Sequence, residues 1–181
     1  MARYVAFLRG INLGNRRVKG EELRACFHAA GLEQPTTFRA SGNVIFDTAR
    51  RLPVTKLAGE IEAALKGGLG YEVKTFLRDA SEIRAIADYE PFPSEVVASS
   101  EGKLQVMLLE RSPAKTARSK ALAHSSEDDR LAIYERELYW LPSGGITDSA
   151  LDLKAIAAAV GHATQRTKAT IDLIAEKHFC D

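Results

Sequence analysis

Arg3-Tyr4-Val5-Ala6-Phe7-Leu8-Arg9-Gly10-Ile11-Asn12-Leu13-Gly14-Asn15-Arg16-Arg17-Val18-Lys19-Gly20 is the stretch on which the fold turns. Tyr4 to Leu8 is a short apolar run, and Gly10 follows at once, so residues 3–8 read as a buried β-strand. Gly20 to Ala30 then carries Leu23, Cys26, Phe27 and Ala30 at helical spacing, with Glu21 and Glu22 in the first turn, where the helix dipole favours acids. Gly31 stops that helix. The chain therefore opens with strand, glycine-rich loop and helix.

Downstream, Thr36 to Ala40 and Asn43 to Asp47 are two β-prone runs joined at Ser41-Gly42, a hairpin signal. Leu57, Ile61 and Leu65 mark a second helix, expected to stop at Gly67-Gly68. Tyr71 to Leu77 alternates with the period of a strand. Asp79 and Glu82 form a capping box ahead of a helix with Ile83 and Ile86. The order is β-α-β-β-α-β and a helix, that of a ferredoxin-like unit. Tyr89-Glu90-Pro91-Phe92-Pro93 breaks the pattern, because two prolines this close oppose helix and central strand.

The second half starts again. Lys103 to Glu110 reads as a strand, and Ser112-Pro113 as the start of a helix to Ala123. Arg130–Glu135 and Glu137–Leu141 read as a hairpin about Arg136. Helices follow at Leu153, Ile156 and Val160, ending at Gly161, and at Ile171, Ile174 and Ala175. The expected fold is α+β, with two ferredoxin-like subdomains, the second degraded and bearing an extra C-terminal helix. The expected domains are 1–90 and 103–181, with 91–102 as linker. The two halves show no residue-level repeat, so the duplication is one of element order.

Composition excludes several classes. The 181 residues are 45% hydrophobic and 27% charged, which is globular composition. The net charge of +1 lacks the basic excess of a nucleic-acid coat, so nucleic acid is disfavoured as a partner. The N-terminal apolar run is too short for a signal peptide and ends in Arg9, and no stretch reaches the length of a membrane span. Cys26 falls on an apolar helix face and Cys180 next to the end, so disulfides are not expected and a reducing cytoplasm fits.

The loop Arg9–Gly14 carries the chemistry. Glycines allow positive φ, so successive amides can point into one anion-holding concavity, and a helix N-terminus follows. Residues 1–40 hold seven Lys and Arg against three acids, a surplus of four, while the whole chain is only +1. The plain alternative is a tight turn with solvated arginines. The loop is neither a P-loop, since no Gly-Lys-Ser/Thr follows, nor a dinucleotide fingerprint, so no cofactor is expected. Ser41-Gly42-Asn43 is the second candidate, with Arg39 just before it, beside the plain reading as hairpin chemistry. His28, His124, His162 and His178 share no ligand spacing, and Glu127-Asp128-Asp129 reads as a solvated turn, so no metal is expected. No nucleophile elbow is present. Tyr139-Trp140 could stack on a base, but strand alternation assigns one of the two to the core.

Phe7-Leu8-Arg9-Gly10-Ile11-Asn12-Leu13-Gly14, with Glu22-Leu23, Gly31 and Ser41-Gly42-Asn43-Val44-Ile45-Phe46, resembles the opening of the bacterial family called domain of unknown function 1697. Pro91-Phe92 is similar to that family's N-P-F stretch, and Leu138-Tyr139-Trp140 with Gly145 to its L-Y hairpin. The family's G-I-x-x-S-K-L appears as Gly145–Leu151 with Ala150 in place of lysine. Its T-x-R-N-W-x-T appears as Thr164–Thr170 without Asn and Trp. The resemblance implies two similar α+β subdomains and no reaction.

The functional expectation is a cytoplasmic protein binding a small anion, a nucleotide or phosphorylated metabolite. The expected contacts are Arg9, Gly10, Asn12, Gly14, Arg39, Ser41, Gly42 and Asn43, with Arg166 reaching in. The alternatives are an enzyme acting on a phosphorylated substrate at this loop, an RNA-binding module, and an interaction protein without ligand. No general base is visible beside the loop.

Overall fold

Val5, Ala6, Phe7 and Leu8 are each exposed by 2% or less, because β1 (Ala2–Arg9) is an inner strand covered on both faces. A strand covered on both faces has no polar side to show and reads as a continuous apolar run. The computed structural model describes residues 1–12, 14–39 and 42–180. It divides into two units, Met1–Arg84 with His178–Asp181, and Ala85–Lys177.

In the first unit β1 is followed by α1 (Gly20–Ala29), β2 (Glu33–Thr37), β3 (Asn43–Thr48), α2 (Val54–Leu69) and β4 (Lys74–Asp79). The antiparallel sheet has the order β2-β3-β1-β4. Ala6, Leu8, Val44, Phe46 and Leu77 of the sheet form one core with Leu23, Cys26 and Phe27 of α1 and Leu57, Ile61 and Leu65 of α2. Phe46 sits between rings, 5.4 Å from Phe27 and 5.8 Å from Tyr4. The edge strand β4 is blunted by α2: Glu62 accepts the Thr75 N–H at 2.9 Å and lies 3.4 Å from Lys74 Nζ. An occupied edge donor offers no template for another strand.

The second helix does not stop at Gly67-Gly68. It runs to Leu69 and ends on Gly70, in the left-handed region at φ 80°. Gly68 serves packing instead, since a Cβ there would lie 2.5 Å from Cys26 Sγ on α1. The capping box forms as expected at the head of α3 (Ala80–Asp88): the Asp79 N–H donates to Glu82 at 3.0 Å and the Glu82 N–H to Asp79 at 2.9 Å.

The second unit contains β5 (Gln105–Leu109), α5 (Lys115–Leu122), β6 (Asp129–Tyr134), β7 (Glu137–Pro142), α6 (Leu153–Val160) and β8 (Ala163–Thr167). Its sheet order is β6-β7-β5-β8. The expected start of α5 at Ser112 is not used: Ala114 is the cap residue, and Ser112 Oγ donates to the Glu135 carbonyl at 2.8 Å. In the segment expected to be linker, Pro93 caps a six-residue helix, α4 (Ser94–Ser99).

Strand β8 was not expected, and it completes the β-α-β-β-α-β order of this unit. Its sequence, Ala-Thr-Gln-Arg-Thr, has no apolar run because it is an edge strand with only Thr164 fully buried. Thr167 ends it and caps α7 (Lys168–His178), its Oγ1 accepting the Thr170 N–H at 3.3 Å.

With β8 in place the central strand of each sheet pairs with its two neighbours in the same register. Val5 pairs with Ile45 and Arg78, and Val106 pairs with Tyr139 and Arg166. The Leu8 N–H donates to Gly42 O at 2.8 Å, and the Leu109 N–H to Arg136 O at 2.9 Å. Arg78 Nη1 donates to the carbonyl of Leu77 at 2.8 Å, and Arg166 Nη1 to that of Gln165 at 2.7 Å.

Candidate anion-binding loop

The pairing of β1 with β3 places the two glycine motifs side by side. The ladder ends at Phe7 opposite Asn43, and the Leu8 N–H then reaches Gly42 O. Gly42 has φ 69°, and a Cβ on it would lie 3.0 Å from Ile11 Cγ2 and 3.2 Å from Leu8 Cβ. The hairpin tip thus packs directly on the start of the loop, and only glycine permits both the dihedral and the approach. Asn43 is 1% exposed and closes the hairpin, its Nδ2 donating to Phe38 O at 3.1 Å. Ser41, with Leu13, Ala40 and Asp181, lies outside the described residues.

Gly10 and Gly14 both take positive φ, 81° and 62°. Ile11 between them is buried and anchors the loop in the core. Asn12 Oδ1 accepts the Val18 N–H at 3.3 Å, so this side chain ties the two ends of the loop together. Tyr71, just ahead of β4, donates its hydroxyl proton to Ile11 O at 2.9 Å, and its ring lies 4.1 Å from the Arg16 guanidinium carbon. Arg9, Arg16, Arg17, Lys19 and Arg39 are exposed. Lys74 stands opposite Arg9 across the β1–β4 pair. Lys74 also lies 3.4 Å from Glu62, which offsets part of its charge.

Tyr71 and Lys74 were not among the expected site residues. No local signal marks them: Tyr71 reaches the loop by a hydrogen bond across 60 residues of chain, and Lys74 by strand pairing with Arg9.

The second unit shows what the fold alone needs at this place. There the connection from β5 to α5 takes five residues, 110–114, while that from β1 to α1 takes ten, 10–19. Arg136 and Glu137 occupy the positions of Gly42 and Asn43. Arg166 belongs to this second unit. Its guanidinium donates to Thr164 Oγ1 at 3.0 Å and to the Gln165 carbonyl, and burial lowers its pKa to about 10. It is therefore charged at neutral pH.

Asp129 departs from the expected solvated acidic turn. Glu127 and Asp128 are exposed, but Asp129 is 6% exposed and its Oδ1 accepts from Trp140 Nε1 and Ser149 Oγ, both at 2.7 Å. Tyr139 and Trp140 are both core residues, because both faces of β7 are covered. Asp129 also lines a cavity of about 370 Å³ with Asp128, Asp148, Ser126 and Ser149. A second hollow, of about 400 Å³, is lined by Arg3, Asp47, Arg84 and His178 in the first unit. Neither hollow includes the loop. Among the described residues no three metal-type side chains converge, and no helix is long and apolar enough to cross a membrane.

Residues 1–139 match the family described as a protein of unknown function (DUF1697). The match stops before Gly145–Leu151 and Thr164–Thr170. The solved structure of the conserved bacterial protein SP0830 from Streptococcus pneumoniae is similar, with a TM-score of 0.70, 20% identity and 97% of each chain covered. At that identity the likeness is one of fold. No curated protein matches the sequence.

Proposed function

The chain belongs to this family of proteins of unknown function, and from that premise we propose that it is a cytoplasmic binding protein for a small anion, held at the loop 9–14. A nucleotide or a phosphorylated metabolite is the ligand class. The observation that carries the reading is the loop's length. The same strand-to-helix connection closes with five residues in the second unit, and the first unit spends ten, with two glycines at positive φ and three exposed arginines in or bordering it. Surface segments longer than the fold requires are where binding residues concentrate.

Arg9, Gly10, Gly14 and Arg39 are the contacts, with Gly42 beside them; Ser41 is included on its place in the sequence alone. Asn12 and Asn43 act by holding the loop and the hairpin in shape. Each charge-assisted hydrogen bond to the anion contributes on the order of 1.5–3 kcal/mol.

A thermal-shift screen with nucleotides and phosphosugars tests the proposal. A ligand at a hundred times its Kd stabilises by about 2.7 kcal/mol, which for a chain of this size raises Tm by roughly 2–4 °C per kcal/mol. Arg9→Ala should lose most of that shift. No shift with any compound, or equal shifts for wild type and Arg9→Ala, would refute the proposal.

A further inference from the structure

We infer that Tyr71 is the positioning residue of this loop and that Arg16 is the guanidinium it presents to the ligand. The inference rests on the reading of the loop as an anion site. It adds two residues to that site and narrows the ligand to anions with paired oxygens, such as a phosphoryl group.

Tyr71 touches the loop twice. Its hydroxyl holds the Ile11 carbonyl near the loop's beginning, and its ring underlies the Arg16 guanidinium near its end. One side chain, 60 residues away in sequence from Ile11, thereby closes the loop into a fixed shape. Tyr71 is in turn packed against the core of the first unit and follows the Gly70 cap of α2, so it stands on a rigid support.

Among the described residues of this unit, Arg16 lies closer over an aromatic ring than Arg39 does, 4.1 Å from the Tyr71 centroid against 5.8 Å from that of Phe38, while other guanidinium groups are held by oxygen partners. Arg3 is bidentate on Asp47, Arg50 bonds Glu60, and Arg84 donates to the Phe179 carbonyl. Arg16 is oriented by the ring, is exposed, and among the described residues has no hydrogen bond or ion pair. A guanidinium over an aromatic ring uses its flat face there, while its N–H donors point outward in the plane. Such a fork matches two oxygens of one phosphoryl group. Ordering the loop before the ligand arrives removes an entropic cost from binding.

The test uses the full chain, Tyr71→Phe and Arg16→Ala, with pyrophosphate as probe. Tyr71→Phe keeps the ring and its packing and removes only the hydroxyl. Amide hydrogen exchange across residues 9–19, without ligand, should quicken on the order of fivefold in Tyr71→Phe, the equivalent of one hydrogen bond. Pyrophosphate affinity, by titration calorimetry, should fall at least tenfold in Arg16→Ala, the loss of a charged hydrogen bond. Unchanged exchange in Tyr71→Phe would overturn the positioning role. Equal affinity of Arg16→Ala and wild type would overturn the assignment of Arg16. If wild type binds neither pyrophosphate nor any nucleotide while Tyr71→Phe still loosens the loop, the reading of the loop as a site fails and Tyr71 remains its fastener.

Discussion

Replacing Gly42 by alanine is the sharpest perturbation of the corner where the two glycine loops meet. Two terms add. The first is conformational: a Cβ at φ 69° is strained, at about 1–2 kcal/mol. The second is steric, since the new methyl lands 3.0 Å from Ile11 Cγ2, 3.2 Å from Leu8 Cβ and 3.4 Å from Leu8 O. These neighbours belong to the buried core and to a hydrogen-bonded strand, so they yield little. Overpacking of this kind costs about 1–3 kcal/mol, which puts Gly42→Ala at roughly 2–5 kcal/mol. Gly70→Ala separates the terms. Gly70 has φ 80° and no atom within 4 Å of an added Cβ, so it carries the conformational term alone. Urea unfolding of wild type, Gly42→Ala and Gly70→Ala gives both differences. Gly42→Ala should be the less stable by about 1–3 kcal/mol. Equal losses for the two variants would show that the hairpin tip does not press on the loop, and the argument for a built corner would fall.

Two further outcomes are expected. The Arg3 guanidinium beside Asp47 holds that carboxyl below its ordinary value. A depressed carboxylate stabilises above its unfolded pKa and loses that contribution as pH falls through the folded one. Arg3 is half exposed, so solvent screening keeps the gain near 1 kcal/mol. Urea midpoints of wild type and Asp47→Asn should therefore differ at pH 7 and converge below about pH 4, and a gap independent of pH would refute the pairing. Separately, Asp129→Ala leaves the Trp140 N–H and the Ser149 hydroxyl without their acceptor. A buried unsatisfied donor costs about 1–3 kcal/mol, read by the emission of the chain's single tryptophan during unfolding. A variant as stable as wild type, with unshifted emission, would show that the bond contributes nothing.

Local rules were enough for the strands and helices whose own residues carry the signal. The inner strands announced themselves as apolar runs, and α2 as the stripe Leu57, Ile61, Leu65. Where they failed, a tertiary contact had taken over a local signal. Gly68 looks like a stop and is a contact point for Cys26. Asp129 looks like a solvated turn residue and is the acceptor for a buried indole. Strand β8 is polar because an edge strand with little burial needs no apolar pattern.

The candidate site divides in the same way. Gly10, Gly14, Gly42, Arg9 and Arg39 were legible because glycine and charge act where they stand in the chain. Tyr71, Lys74 and the orientation of Arg16 were not, because each is defined by a partner remote in sequence. The amino-acid sequence by itself determined the element order of the first unit, the inner strands and a glycine-rich basic loop, since propensity and periodicity are properties of neighbouring residues. Only the tertiary structure decided that Gly42 abuts Ile11, that Tyr71 fastens the loop, and that the second unit closes the same connection with half the residues, since those facts arise when strands far apart in the chain pair in register.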